Sequence, residues 1–298
     1  MNQHDALAQA IFDAHPELAL PATPTLPLTF SAEAPVYRAA KQACRALGFV
    51  EIDAECLGNA WQAMTERTGQ LDPSAWPDQA QDFGMAPGPG EDAFPACPQQ
   101  LGLYAVLPDA AWVGRMARAG VPTVQLRFKS EDRQAIEQEV RAAVQAVQGT
   151  NALLFINDHW QAAIDAGAYG VHLGQEDMDV ADLHTIRNAG LRLGLSSHGY
   201  AEMLHADRFS PSYLALGAVF PTTLKKMQTA PQGVGRLHAY ARLMARYPLV
   251  AIGGITPREL PDVLASGVGS VAMVRALVAA DNPEATAHRL MAVINPED

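Results

Sequence analysis

The chain has 298 residues, 49% hydrophobic and 18% charged, with 21 Lys and Arg against 32 Asp and Glu for a formal net charge of −11. That length accommodates one large domain or two modest ones around a substantial core. So acidic a balance argues against a nucleic-acid binder, and the Met1-Asn2-Gln3-His4-Asp5 start lacks a basic leader while no apolar run reaches membrane length. A cytoplasmic location is therefore expected, with no nucleic-acid or membrane partner. A homo-oligomer is compatible with the sequence, which does not reveal the assembly state.

Residues 1–100 carry 4 basic and 13 acidic residues, and 11 of the 21 prolines. Within this acidic, Pro-rich stretch, Pro35–Leu47 and Ala54–Thr68 space their apolar residues as one helical face each, including Val36, Ala40, Cys44, Leu57, Trp61 and Met64. They predict a helical hairpin. The Gly- and Pro-rich run from Phe83 to Pro95 reads as linker. Cys44, Cys56 and Cys97 match neither a zinc set nor a redox pair in spacing, so they are read as free thiols of a reducing compartment. No chemistry follows from this segment, and a division at 1–97 and 98–298 is expected.

From Leu101 the texture changes to short apolar runs alternating with longer amphipathic stretches, which argues for repeated strand-then-helix units around a parallel sheet. The predicted strands are Gly102–Leu107, Thr123–Phe128, Ala152–Ile156, Gly170–Leu173, Arg192–Leu195, Tyr213–Leu216, Leu249–Ile252 and Ser270–Val274. Ser130 is predicted to cap a helix over Asp132–Gln148, Thr256-Pro257 to open the seventh helix, and Gly120, Gly167, Gly190 and Gly267 to end others. Eight such units predict a compact (β/α)8 TIM barrel, an α/β fold preceded by a mostly helical N-terminal segment. An open doubly wound sheet is the competing arrangement.

Polar residues at the carboxyl ends of barrel strands build the site in such folds. Val124-Gln-Leu-Arg-Phe-Lys129 puts Gln125, Arg127 and Lys129 on one face of an extended segment, where two cations call for an anionic ligand such as a diphosphate. The alternative is pairing with core carboxylates. Strand three ends in Asn157-Asp158 and strand four runs into Gly174-Gln-Glu-Asp177. Two carboxylates opposite those cations suit a Mg²⁺ ion bridging protein and diphosphate, although a lone Asp158 would equally cap the next helix. Strand five ends in Ser196-Ser197-His198, strand six in Phe220-Pro-Thr222 with Lys225 beyond, and strand seven in Gly253-Gly254, a pair that allows close backbone approach to a second phosphate. His172 and His198 are acid–base candidates, though a strand histidine is more often structural.

These segments, together with Leu154-Phe-Ile-Asn-Asp158, Gly170-Val-His-Leu-Gly-Gln-Glu-Asp177, Ala230-Pro-Gln-Gly233 and Val250-Ala-Ile-Gly-Gly-Ile255, resemble thiamine phosphate synthase over about residues 101–294, in that family's order. The resemblance implies an enzyme that joins hydroxymethylpyrimidine diphosphate to a thiazole phosphate and releases diphosphate; some members also take a carboxylated thiazole and release CO₂. It implies that Gln125, Arg127, Lys129 and Asn157 hold the pyrimidine diphosphate, with Lys225 also on the diphosphate. Asp158 and Asp177 would hold Mg²⁺, and Ser196 the pyrimidine end. Thr222, Gly254 and Val274 would belong to the thiazole phosphate pocket. The residues expected to act on the reacting groups are Arg127, Lys129, Lys225 and Ser196. Two departures stand out. Leu224 replaces the second hydroxyl of the family's Pro-Thr-x-Thr-Lys, and Arg275 stands where a serine is usual, so Arg275 is expected to hold the thiazole phosphate bidentately.

Two rival readings remain at this point. A thiazole tautomerase would use a base such as His198 but has no use for a diphosphate pocket. A non-catalytic sensor of thiamine precursors would make the acidic N-terminal segment its interaction module.

Overall fold

The structure is a computed structural model that describes residues 3–21, 28–90, 92–222 and 229–295. Eight parallel strands close a barrel in strict chain order. They are β1 (Gly102–Leu107), β2 (Thr123–Leu126), β3 (Leu153–Asn157), β4 (Gly170–Leu173), β5 (Arg192–Ser197), β6 (Tyr213–Leu216), β7 (Leu249–Ala251) and β8 (Gly269–Met273). Closure comes from β1 pairing β8, with Gly102 opposite Ser270 and Ala105 opposite Met273. The open doubly wound alternative is excluded.

Period-two alternation sorts the strand residues into two layers. Leu103, Ala105 and Leu107 of β1, Val124 and Leu126 of β2 and Leu154 and Ile156 of β3 point outward into the shell beneath the helices. Tyr104, Val106, Phe155, Tyr213, Ala215, Val250 and Ala272 form a separate inner cluster that fills the barrel. The interior is therefore packed, and the ligand space lies above it, at the strands' carboxyl ends.

Small boundary differences have local causes. The fifth helix of the chain runs Arg133–Ala146, and its cap is Asp132, whose carboxylate accepts from the N–H groups of Gln134 and Ala135; Ser130 instead accepts from Asp132 N one step earlier. Asp outcompetes Ser here because its carboxylate reaches two of the helix's free N–H groups. The helix expected to open at Thr256-Pro257 begins at Leu260, after a turn in which the Thr256 hydroxyl and N–H are held by Glu259. Gly120, Gly167, Gly190 and Gly267 all adopt positive φ at helix ends, as expected.

The N-terminal segment is helical, with α1 (Gln3–Ala14), α2 (Pro35–Ala46) and α3 (Glu51–Thr68). The hairpin α2–α3 was legible in the sequence, whereas α1 adds a helix that the sequence reading lacked. Ile11, Leu47, Phe49, Leu57, Trp61 and Trp76 are buried in the same continuous cluster as the barrel's outer shell. At roughly 2 kcal/mol for each large aliphatic side chain removed from water, such contacts make the segment part of the fold and not an appendage. The run read as linker is also partly buried: Met85 and Phe94 are covered, Phe94 N donates to Ser210 O, and Gly90 N donates to Ser210 Oγ. The cysteines are unpaired, and no helix among the described residues is long and apolar enough to cross a membrane.

Candidate active site

The carboxyl ends of the strands enclose a cleft of about 690 Å³. Gln125, Arg127 and Lys129 all line it. β2 leaves the ladder after Leu126, but Arg127 N still donates to Leu107 O at 2.8 Å, so extended geometry persists far enough to keep the alternation. Beside them, Asn157 ends β3 and Asp158 follows it, and Asp177 follows β4, all lining the same cleft. Ser196 (β5), Thr222 (after β6), Gly254 (after β7) and Val274 and Arg275 (after β8) complete the wall. Lys225, with Thr223 and Leu224, lies outside the described residues.

Asp158 does not cap the helix that follows it. That helix, Trp160–Ala166, starts after His159 without any side-chain cap. Asp158 itself takes φ 64°, a left-handed backbone tolerated by Asp at some cost, and is held there by its N–H donating to His172 O at 3.0 Å. Its carboxyl is pushed above the ordinary range first by burial, then by the charge of Asp177 beside it; His159 and Arg127 oppose the shift. Two carboxylates held this close repel unless a proton or a cation lies between them. Among the described residues no cluster of three or more His, Cys, Asp or Glu could cage a metal. A pair of carboxylates lining the same cleft as Arg127 and Lys129 fits Mg²⁺, which takes only one or two protein carboxylates and keeps the rest of its shell as water or phosphate oxygen.

Beneath the side of the cleft lined by Gln125 and Ser196 runs a line of hydrogen bonds through the barrel. Gln125 Nε2 donates to Tyr104 OH (3.0 Å), Tyr104 OH meets Tyr213 OH (2.7 Å), Tyr213 OH meets His172 Nδ1 (2.7 Å), and His172 Nε2 meets Ser196 Oγ (2.8 Å). One placement of protons satisfies every partner in the line: with Gln125 as donor, Tyr104 donates to Tyr213, Tyr213 to His172 Nδ1, and the Nε2–H of that tautomer to Ser196. Burial holds both tyrosines protonated, raising Tyr104 and Tyr213 well above the ordinary phenol range. Gln175 Nε2 steadies the strand end by donating to Ser196 O at 2.7 Å.

This line was not legible in the sequence. Tyr104 and Tyr213 fall inside the predicted first and sixth strands, and nothing in one dimension brings those strands' residues together. His172 thus has a structural partner on each ring nitrogen. His198 also lines the cleft, with Nδ1 2.6 Å from Glu202 Oε2.

Gly253 and Gly254 both adopt positive φ, and a Cβ would fall 2.5 Å from the Ala218 methyl at the first and 2.4 Å from Pro221 O at the second. Only glycine lets the loop after β7 lie against the loop after β6.

Comparisons with known proteins agree with this geometry. The family model described as thiamine monophosphate synthase matches residues 103–277. The thiamine-phosphate synthase of Neisseria meningitidis serogroup B is 53% identical over 200 residues, covering 67% of this chain and 98% of that protein. The thiamine-phosphate synthase of Yersinia pestis (strain Pestoides F) is 50% identical over 198 residues, covering 66% of this chain and 92% of that protein. Among solved structures, a thiamine phosphate pyrophosphorylase from Pyrococcus furiosus matches with a TM-score of 0.58 and 26% identity, over 65% of this chain and 95% of that one.

Proposed function

The chain belongs to the thiamine monophosphate synthase family, and on that premise we propose that its cleft joins hydroxymethylpyrimidine diphosphate to a thiazole phosphate, giving thiamine phosphate and diphosphate. The observation that carries the assignment is one cleft lined by Gln125, Arg127 and Lys129 together with the paired carboxylates Asp158 and Asp177. A tautomerase has no use for that combination, and the comparisons lend support to neither a tautomerase nor a sensor.

The chemistry asks for charge separation. Diphosphate leaves from a benzyl-like carbon of an electron-rich pyrimidine, so positive charge grows on carbon while negative charge grows on the departing oxygens. Arg127 and Lys129 meet that growing charge as fixed cations, and Lys225 follows them by its place in the sequence motif; preorganised charge of this kind is usually the largest contribution to rate. Gln125 and Asn157 orient the substrate from the ends of β2 and β3. Ser196, oriented by His172, offers a hydroxyl proton to an acceptor on the pyrimidine. The thiazole nitrogen is the nucleophile, so no side chain need form a covalent bond, and alignment of two substrates is the remaining task. Asp158 and Asp177 would hold Mg²⁺, which when bound supplies Lewis-acid neutralisation of the diphosphate. Thr222, Gly254, Val274 and Arg275 form the opposite wall, where the thiazole phosphate would sit, and the Arg275 guanidinium supplies a planar pair of donors for it.

The test is release of diphosphate by the full chain when both substrates are supplied with Mg²⁺. Release that requires both substrates is the expected result; none under any condition would overturn the assignment.

A further inference from the structure

The N-terminal segment lies outside the matched residues 103–277, yet it grips the two loops that wall the cleft. Only His198 and Gly199 separate β5, with Ser196 and Ser197, from the next helix, Tyr200–Asp207. That helix has glycine at its N-cap and hence no side chain of its own to satisfy its first N–H groups. The acceptor comes from elsewhere: Asp53 of α3, 5% exposed, takes the Ala201 N–H at 2.9 Å. A Cβ at Gly199 would lie 2.1 Å from Asp53 Oδ2, so the glycine admits the carboxylate. One residue on, the Tyr200 hydroxyl accepts from Trp76 Nε1 at 2.8 Å while its ring stacks on Phe83.

A second grip acts on the loop after β6. Gln232 closes that loop by donating its N–H to Ala218 O at 2.9 Å. Its side-chain oxygen accepts from Arg236 NH1 at 3.1 Å, and Arg236, 2% exposed, gives its other donors to Leu18 O (3.0 Å) and Leu47 O (2.9 Å) while covering the Phe49 ring at 3.6 Å. A buried guanidinium satisfied by main-chain oxygens of the N-terminal segment ties that segment to the barrel loop.

We propose that the N-terminal segment is an internal brace for the cleft, in which Asp53 positions the Ser196–Gly199 loop and Arg236 positions the Gly217–Thr222 loop. The proposal rests on the synthase reading for its kinetic consequence, but its structural consequence stands without it. Both loops present groups to different substrates, so loosening each should affect one substrate more than the other.

The experiment uses the full chain and the variants Asp53→Ala, Asp53→Asn and Arg236→Met, each first checked for a cooperative melt above the assay temperature. A displacement of about 1 Å at a site loop lowers turnover by roughly 10²-fold, so we expect Asp53→Ala to lower kcat/KM for the pyrimidine diphosphate by about 10-fold or more, with the thiazole phosphate KM changed by less than about 2-fold. Asp53→Asn keeps an acceptor for Ala201 and should recover most of that loss. Arg236→Met should show the opposite substrate bias. Amide hydrogen exchange reads the brace directly, with residues 198–203 losing protection by about 10-fold or more in Asp53→Ala while β1–β4 stay as protected as in the parent chain. Unchanged exchange over 198–203 in Asp53→Ala would overturn the proposal even if catalysis is never observed. Equal losses for both substrates in Asp53→Ala, or no recovery in Asp53→Asn, would also overturn it. Should Asp53→Ala not fold, Asp53→Asn and Trp76→Phe carry the exchange measurement, and local loss of protection confined to 198–203 in Trp76→Phe is then the expected result, its absence the refuting one.

Discussion

His172 Nε2 lies 2.8 Å from the Ser196 hydroxyl, and the opposite ring nitrogen is occupied by Tyr213 at 2.7 Å. The histidine is therefore an orienting group with both nitrogens committed, and Ser196 is the member of the line that faces the cleft. Tyr213→Phe removes the donor to Nδ1 without changing the ring that fills the barrel. We expect His172 to lose its fixed Nε2–H tautomer, visible in the ¹⁵N shifts of the imidazole, and kcat/KM for the pyrimidine diphosphate to fall by about 10-fold, the effect of one disrupted buried network bond. An unaltered imidazole spectrum would show that the line of hydroxyls does not set the ring.

Burial and the neighbouring Asp177 together hold the Asp158 carboxyl above its ordinary range. Stripping divalent ions with a chelator should abolish diphosphate release, and Mg²⁺ should restore it. Asp158→Asn relieves the repulsion but removes a hard oxygen ligand, so we expect turnover to fall by roughly 10²-fold and the Mg²⁺ needed for half-maximal rate to rise. Undiminished Mg²⁺-dependent turnover in this variant would remove Asp158 from the metal site.

Arg275 begins the short helix Arg275–Val278 after β8 and lines the cleft. If the guanidinium binds the thiazole phosphate, Arg275→Ser should raise the KM of that substrate by about 10-fold or more, the worth of a charge-assisted bidentate contact, and leave the KM of the pyrimidine diphosphate nearly unchanged. A thiazole phosphate KM that does not move would refute the assignment.

Burial raises the Asp53 carboxyl to about 6 with a smaller push from Glu202, against the Ala201 N–H bond and the weaker Coulombic pull of Arg236. A carboxyl whose folded pKa exceeds its unfolded one holds a proton in the fold that the unfolded chain has already released. Its contribution to stability is present at low pH and is lost as pH rises through about 6, a fall of roughly 2–3 kcal/mol at most. Urea midpoints measured from about pH 4.5 to about pH 8 should show this downward slope superposed on other titrations, and Asp53→Asn should flatten that component. An identical profile in the variant would show that Asp53 does not titrate across this window.

Much of the barrel could be read along the chain because its signals are local. Strand alternation, helix-ending glycines at 120, 167, 190 and 267, and the period of strand and helix depend on neighbours within a few residues; β1, β4 and β6 have the expected boundaries, and the other strands differ from them by one or two residues at an end. The candidate site was similarly readable. Once strands are known to be parallel, Gln125, Arg127, Asn157, Asp158, Asp177 and Ser196 must all arrive at the same end, and each described member of the expected set lines the cleft.

What one dimension could not disclose is every relationship that depends on two distant segments meeting. Tyr104 and Tyr213 are 109 residues apart, and their hydroxyls bond only because the barrel closes. Asp53 was one more acidic residue of an acidic segment until the fold placed it 148 residues away, on the Ala201 N–H. Side-chain chemistry and backbone periodicity are written residue by residue, whereas a buried polar group finds its partner through the packing of the whole chain. The sequence alone therefore determined the barrel and the inventory of its mouth, and tertiary packing decided which groups orient them and joined the first hundred residues to the site.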